Sequence, residues 1–221
     1  MAGDLVLITG GSGHLGLRVI LDTLQAGFRV RAAVRSQAKA DKISSVPSIK
    51  SFQDKLSFAI VPDLLVQRAY DEAVSGVSYI IHVASPTPSA HKEGDDFETS
   101  LIQPAIKGTT NILLAAQKTS SVKRIVITSS IVAVLPFKDF IFGTSETIFD
   151  ENSRTASPSG PYAHVFEAYG ASKIHALNEA EAWIAREKPH FDLVHIFPAF
   201  IIGKDELITD VKHIVEGTNA T

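Results

Sequence analysis

The hydrophobic positions of this chain fall into short continuous runs, separated by longer stretches in which apolar residues recur at helical spacing. The runs are Leu5 to Ile8, closed by Thr9; Phe28 to Val34 (FRVRAAV); Lys55 to Val61 (KLSFAIV); Val77 to Ala84 (VSYIIHVA); Lys123 to Ser130 (KRIVITSS); and Phe191 to Phe197 (FDLVHIF), ending at Pro198. Each reads as a strand. Between them, Leu15, Val19, Ile20 and Leu24 predict an amphipathic helix beginning near His14. Phe97, Leu101, Ile112, Leu113 and Ala116 predict helix within Asp95 to Lys118, and Tyr169 to Lys188 predicts a long one. Pro104 marks a kink or a fresh helix start, because it lacks an N–H and its ring collides with the preceding turn. Strand and helix alternating in this order predict a parallel sheet with helices on both faces. Leu135 to Ala168 has no clear period and is expected as a long loop. Its Phe137, Phe140, Phe142, Phe149 and Tyr162 either line an apolar substrate pocket or pin the loop to the sheet.

The junction of the first strand and helix, LVLITGGSGHLG over Leu5 to Gly16, carries Gly10, Gly13 and Gly16. A side chain at Gly10 would obstruct the turn, one at Gly13 would hold a pyrophosphate off the backbone, and one at Gly16 would push the helix off the strand. Free N–H groups and the positive end of the helix dipole favour a phosphate anion there. The pattern predicts a doubly wound α/β sheet of Rossmann type, in three α/β/α layers, that binds a dinucleotide. The end of the second strand then separates the cofactors. NAD sites carry a carboxylate there for the ribose hydroxyls, and NADP sites replace it with cations for the 2′-phosphate. No Asp or Glu occurs from Phe28 to Ala40; Val34 stands about where the acid would fall, and Arg35, Lys39 and Lys42 follow. Arg35 can hold a phosphate bidentately and Lys42 can add a point charge, so NADP is expected over NAD. Asp63, following Pro62, either meets the adenine amino group or caps the next helix. His82 reads as a packed, hydrogen-bonded core histidine. Pro86 and Pro88 force an extended exit from the fourth strand.

Composition removes other chemistries. The net charge of −3, with both signs interspersed, gives no basis for a nucleic-acid or anionic-membrane partner. The absence of cysteine excludes disulfides, thiolate nucleophiles and zinc–sulfur sites. Histidine spacing offers no metal site and no serine lies in a GxSxG elbow. The start, MAGDLVLITG, has no secretory pattern, and no apolar stretch reaches the ~18 to 20 residues that cross a bilayer. A cytoplasmic protein is expected, in which the glycosylation acceptor Asn219-Ala220-Thr221 is inert. A chain of 221 residues is long enough for one large domain or one and a fraction.

The second informative stretch is Tyr169-Gly-Ala-Ser-Lys173. Residues four apart share a helix face, so the Lys173 ammonium is expected near the Tyr169 phenol. Bringing a phenol from a pKa near 10 to about 7 requires roughly 4 kcal/mol of differential stabilisation of the phenolate. The neighbouring cation, the positive ring of the cofactor and partial desolvation are the expected sources. Tyr169 would then donate a proton to a carbonyl oxygen receiving a hydride. Ser130, in preference to Ser129, would hydrogen-bond the same oxygen.

These pieces together resemble the extended short-chain dehydrogenase/reductases, and most closely the branch of dihydroflavonol reductases and fungal NADPH-dependent aldehyde and ketone reductases. The resemblance rests on TGGSGHLG at 9 to 16, VRAAVRS at 30 to 36, PD at 62 to 63, HVASP at 82 to 86, KGTTNIL at 107 to 113, RIVITSS at 124 to 130, YGASK at 169 to 173 and FPAFIIG at 197 to 203. It implies Ser130 as the carbonyl-binding serine, Tyr169 as proton donor and Lys173 as the residue on the nicotinamide ribose. It implies further cofactor contacts at His14, Leu15, Leu64, Val83, Ala84, Ser85, Thr128, Pro198 and Ala199. His14 stands where such chains often carry an aromatic residue, and Phe197 where the related reductases commonly carry Asn. Family members also continue into a smaller C-terminal lobe that closes over the substrate, whereas this chain stops at GTNAT. The expected organisation is therefore an NADP-binding domain over 1–198 and the start of a truncated substrate lobe over 199–221.

The expected function is reduction of a ketone or aldehyde by NADPH. The substrate would be a small carbonyl compound of apolar or aromatic character, and the assembly a homodimer, as is common in the resembling family. A truncated NADP-binding protein, inactive or regulatory, is the alternative. An NAD-dependent nucleotide-sugar epimerase or dehydratase shares the Ser/Tyr/Lys set but would favour an acid after the second strand.

Overall fold

The computed structural model describes residues 3–88, 94–143, 146–208, 210 and 212. The glycosylation acceptor at 219–221 and most of the expected C-terminal segment beyond residue 208 lie outside the described residues.

All of the expected strands form, β1 over its whole run and the others slightly shorter than theirs: β1 (Leu5–Thr9), β2 (Arg29–Val34), β3 (Leu56–Ile60), β4 (Tyr79–His82), β5 (Arg124–Thr128) and β6 (Asp192–Ile196). They make one six-stranded sheet in the order β3-β2-β1-β4-β5-β6, parallel throughout. The strand order reverses between β1 and β4. In such sheets the crevice at that point, beyond the C-terminal strand ends, receives the ligand.

Helices cover the faces unequally. On one face α1 (His14–Gln25) and α2 (Gln37–Ser45) bury Val6, Ile8, Val30, Ala32 and Val34 against Leu17, Ile20, Leu21, Leu24 and Ile43. On the other, α3 (Gln103–Gln117) and α5 (Val165–Glu187) pack side by side over Leu7, Ile80, Ile125 and Ile127. Pro104 is accommodated as a fresh start. It stands in the first turn of α3, after a π-helical turn over Glu98–Ile102, where its missing N–H costs no intrahelical bond.

Two expectations require correction. Leu135 to Ala168 is not wholly loop, since it contains α4 (Phe137–Phe142) and the first residues of α5. α5 begins at Val165 rather than at Tyr169, because His164 caps it: the His164 Nδ1 accepts from Glu167 N at 3.2 Å, while the Glu167 carboxylate accepts from Ala163 N at 2.6 Å. The arrangement is related to a capping box, with an imidazole in the place of the usual hydroxyl and the Glu167 carboxylate reaching one residue further, to the N–H before the cap.

The stretch at 154–158 lies along α5 and is held by polar side chains. Arg154 pairs with Glu181, Asn178 donates to Thr155 O and Ser157 Oγ, and the His175 ring bonds Pro158 O. The aromatics have other partners. The Phe137 and His164 rings lie 5.3 Å apart at a tilt of 59°, and Phe140 lies 6.4 Å from Phe200. No helix among the described residues is long and apolar enough to cross a membrane.

Candidate active site

Parallel strands deliver their C-terminal residues to one edge of the sheet, and most of the residues singled out by the sequence meet there. At the end of β1, Gly10 has φ +71 and no room for a side chain: a Cβ would sit 2.8 Å from Ala84 N. A Cβ on Gly16 would come within 2.0 Å of Gly10 O, so this glycine lets α1 rest on the turn. Gly13 differs. A Cβ there meets only Gly10 O at 3.4 Å, so the fold itself does not require glycine at this position. The residue is exposed and precedes a helix that no side chain caps. A bare helix N-terminus fronted by a glycine that packing leaves optional suits a phosphate group.

Arg35 follows β2 directly, and Lys42 lies in α2. Both are exposed, and neither side chain makes an ion pair or hydrogen bond among the described residues, while the Lys42 carbonyl accepts from the Ser45 hydroxyl. Asp63 is exposed and accepts from Leu65 N at 2.8 Å, a local turn contact; only turns connect β3 to β4, so there is no following helix for it to cap and that expectation is corrected. The Leu64 side chain turns inward. It occupies the space where a Cβ on Gly108 would fall, 2.7 Å away, and its carbonyl accepts from Asn111. Any contact of Leu64 with a cofactor is therefore left to the remaining backbone.

The exit of β4 is fixed by a pair that sequence reasoning did not join. Thr9 and His82 are register partners on β1 and β4, and Thr9 Oγ1 lies 2.9 Å from His82 Nδ1. The same Oγ1 accepts from Ala84 N at 3.1 Å. His82 is buried, as expected of a core histidine, and burial lowers its pKa to about 4, with the charge of Lys173 adding to the effect. The ring is therefore neutral at physiological pH, with Nδ1 hydrogen-bonded to the threonine hydroxyl. Val83, Ala84 and Ser85 are half-buried along the crevice.

Ser130 follows β5. Backbone bonds from Ser129 N to Ile196 O and from Ile131 N to Pro198 O keep it beside the end of β6, so Thr128, Ser130, Pro198 and Ala199 share one region. The Ser130 hydroxyl acts on the Tyr169 phenol to lower its pKa, but burial outweighs this and holds Tyr169 above the usual value. Desolvation thus acts against the phenolate, opposite to the expectation above, because it penalises the charged form.

Lys173 is buried on α5 one turn beyond Tyr169, with Nζ 5.4 Å from the centre of that ring. Burial lowers its pKa to about 8. Its Nζ donates to Ser85 Oγ at 2.9 Å. Tyr169 packs against Phe97, Leu101 and Ala168. Beside that cluster opens a cavity of about 500 Å³ lined by Phe97, Glu98, Pro161, Tyr162 and His164. A second cavity, of about 550 Å³, is lined by Arg31, Phe58 and Glu72 on the outer side of β2 and β3 and shares no residue with the site.

Comparison with known proteins agrees with this fold. The profile of the 3-beta hydroxysteroid dehydrogenase/isomerase family matches residues 7–177, from β1 through the Tyr169–Lys173 stretch. The chain belongs to this family. As expected from its motifs, it falls among the extended short-chain dehydrogenase/reductases. It is 41% identical over 213 residues to "Ketoreductase CTB6" of Cercospora nicotianae, covering 95% of this chain and 59% of that protein. It is 39% identical over 223 residues to "NAD-dependent epimerase/dehydratase ALT6" of Alternaria alternata, covering 97% and 62%. Among solved structures it resembles yeast methylglyoxal/isovaleraldehyde reductase Gre2 complexed with NADPH, with a TM-score of 0.79 and 26% identity over 91% of this chain and 59% of that one. The chain thus spans about three-fifths of the length of the relatives it matches.

Proposed function

We propose that this chain carries the cofactor-binding and catalytic residues of an NADPH-dependent reductase of ketones or aldehydes. The observation that carries the reading is the gathering of Ser130, Tyr169 and Lys173 at the strand ends that the uncapped N-terminus of α1 also faces. The relatives named as a ketoreductase and an NADPH-bound reductase support the reaction class. The basic end of β2 supports NADPH over NADH, and it weighs against the NAD-dependent epimerase or dehydratase chemistry in the name of the Alternaria relative.

In this reading residues 1–198 form the cofactor domain. The backbone from Gly10 to Gly16 holds the pyrophosphate, and Arg35 with Lys42 holds the 2′-phosphate. NADPH, when bound, supplies a hydride to the carbonyl carbon. Tyr169 donates its phenolic proton to the carbonyl oxygen, and the Ser130 hydroxyl donates a hydrogen bond to the same oxygen. The phenolate left behind is stabilised by Ser130 and by the Lys173 ammonium. These must overcome the burial that otherwise keeps the phenol protonated. Phe97 and Tyr162 form the apolar part of the substrate chamber, which suits an apolar or aromatic carbonyl compound.

The test is an equilibrium titration of the 221-residue chain with NADPH and with NADH, followed by assay against a panel of aromatic ketones and aldehydes. Tight, NADPH-selective binding that Arg35→Ala weakens at least tenfold supports the cofactor assignment. Turnover that Tyr169→Phe abolishes, while NADPH affinity stays within a few fold, supports the proton donor. Equal affinity for NADH, or full activity in Tyr169→Phe, overturns the corresponding part. Binding without turnover of any substrate would instead favour the cofactor-binding alternative.

A further inference from the structure

Lys173 presents an energetic problem that the catalytic reading leaves unsolved. An ammonium is costly to bury without a partner, yet this one is 6% exposed. No carboxylate among the described residues acts on it. The titratable groups facing it are His82 from β4, which is neutral, and Tyr169 from its own helix. The tyrosine ring face offers a cation–π contact at 5.4 Å. The polar acceptor is the Ser85 hydroxyl at 2.9 Å, from a strand exit 88 residues away in sequence.

That hydroxyl is held in place. Thr9 Oγ1 binds Ala84 N, the residue before Ser85, and the threonine is itself fixed by His82. Pro86 restrains Ser85 from the other side, because a residue preceding proline is confined to extended conformations. The Thr9–His82 pair thus acts as a buried pin that sets where the Ser85 hydroxyl stands, and the hydroxyl sets where the ammonium stands.

The geometry points to Ser85 as the positioning residue of Lys173: its pinned hydroxyl keeps the buried ammonium charged and placed against Tyr169 before any cofactor arrives. The inference rests on the catalytic reading for its importance, but its test needs neither cofactor nor turnover. The Lys173 signal is followed by NMR in the ligand-free, [13Cε]lysine-labelled chain as pH is raised, and is assigned as the resonance lost in Lys173→Met.

Removing the acceptor in Ser85→Ala should lower the Lys173 midpoint by about half a unit or more, roughly a threefold loss of proton affinity. Ser85→Thr, which restores the hydroxyl, should stay near the wild-type midpoint. Ser85→Gly gives a second removal should the alanine variant fold poorly. An unchanged midpoint in both removal variants, or an equal drop in Ser85→Thr, overturns the inference. A parallel NADPH titration separates the readings: a midpoint shift without NADPH binding leaves the positioning role standing and removes the reductase.

Discussion

Glycines that are identical in sequence are not equivalent in physics. Gly16 is demanded by the fold, since a Cβ would stand 2.0 Å from Gly10 O and the obstacle is backbone that cannot swing aside. Gly13 has only an ordinary contact at 3.4 Å. Gly16→Ala should therefore cost stability, by about 1–3 kcal/mol as expected for overpacking. Gly13→Ala should remain within about 1 kcal/mol of wild type, yet lose NADPH affinity if the phosphate is bound where the helix begins. Urea denaturation and NADPH titration of both variants read the two quantities separately. A Gly13→Ala protein that binds NADPH as tightly as wild type would dissociate this loop from the cofactor.

At the scale of elements, the junction of β1 and β4 carries a pH dependence that follows from His82. The folded pKa, about 4, lies below the ordinary 6.5 because the ring is buried. Between those values the unfolded chain takes up a proton that the folded chain refuses, so stability is complete above pH 6.5 and is lost as pH falls towards 4. At pH 5 the loss due to His82 is about 2 kcal/mol. Denaturant midpoints measured from pH 7.5 to 4.5 should show this slope. They should show a shallower slope in His82→Asn, with a remainder from His195, whose pKa burial also lowers. An identical slope in the variant would place the acid sensitivity elsewhere.

The same junction shows what a sequence can convey. Every strand was legible because buried parallel strands are continuous apolar runs, and Gly10, Gly16 and the Tyr169–Lys173 spacing were legible because local geometry dictates them. The Thr9–His82 pair and the Ser85–Lys173 bond were not, since they depend on which strands become neighbours across the point where the order reverses. The start of α5 was missed for another reason. Its cap is a histidine, which composition does not mark as a capping residue, and so the first turn was read as loop.

At the scale of the whole molecule the two faces of the sheet are not equally covered. α3 and α5 shield one face to its edge, whereas on the other α1 and α2 lie over β1 and β2 and leave the outward residues of β6 uncovered. Residues alternate sides along a strand, so Val194 and Ile196 share a face. They are 40% and 53% exposed, while Leu193 on the opposite side packs into the α3–α5 core. Phe200 and Ile202, just beyond, are 60% and 65% exposed. An apolar group of this size on an edge strand is an adhesive surface for any apolar probe. The native 221-residue chain should therefore enhance bis-ANS fluorescence without denaturant, and Ile196→Lys should reduce that signal at least twofold. The substitution should leave the urea midpoint nearly unchanged, because the lysine enters water rather than core. If Ile196→Lys unfolds the chain, or leaves the fluorescence as it was, then this face is covered in solution and the exposure of β6 is not a property of the native protein.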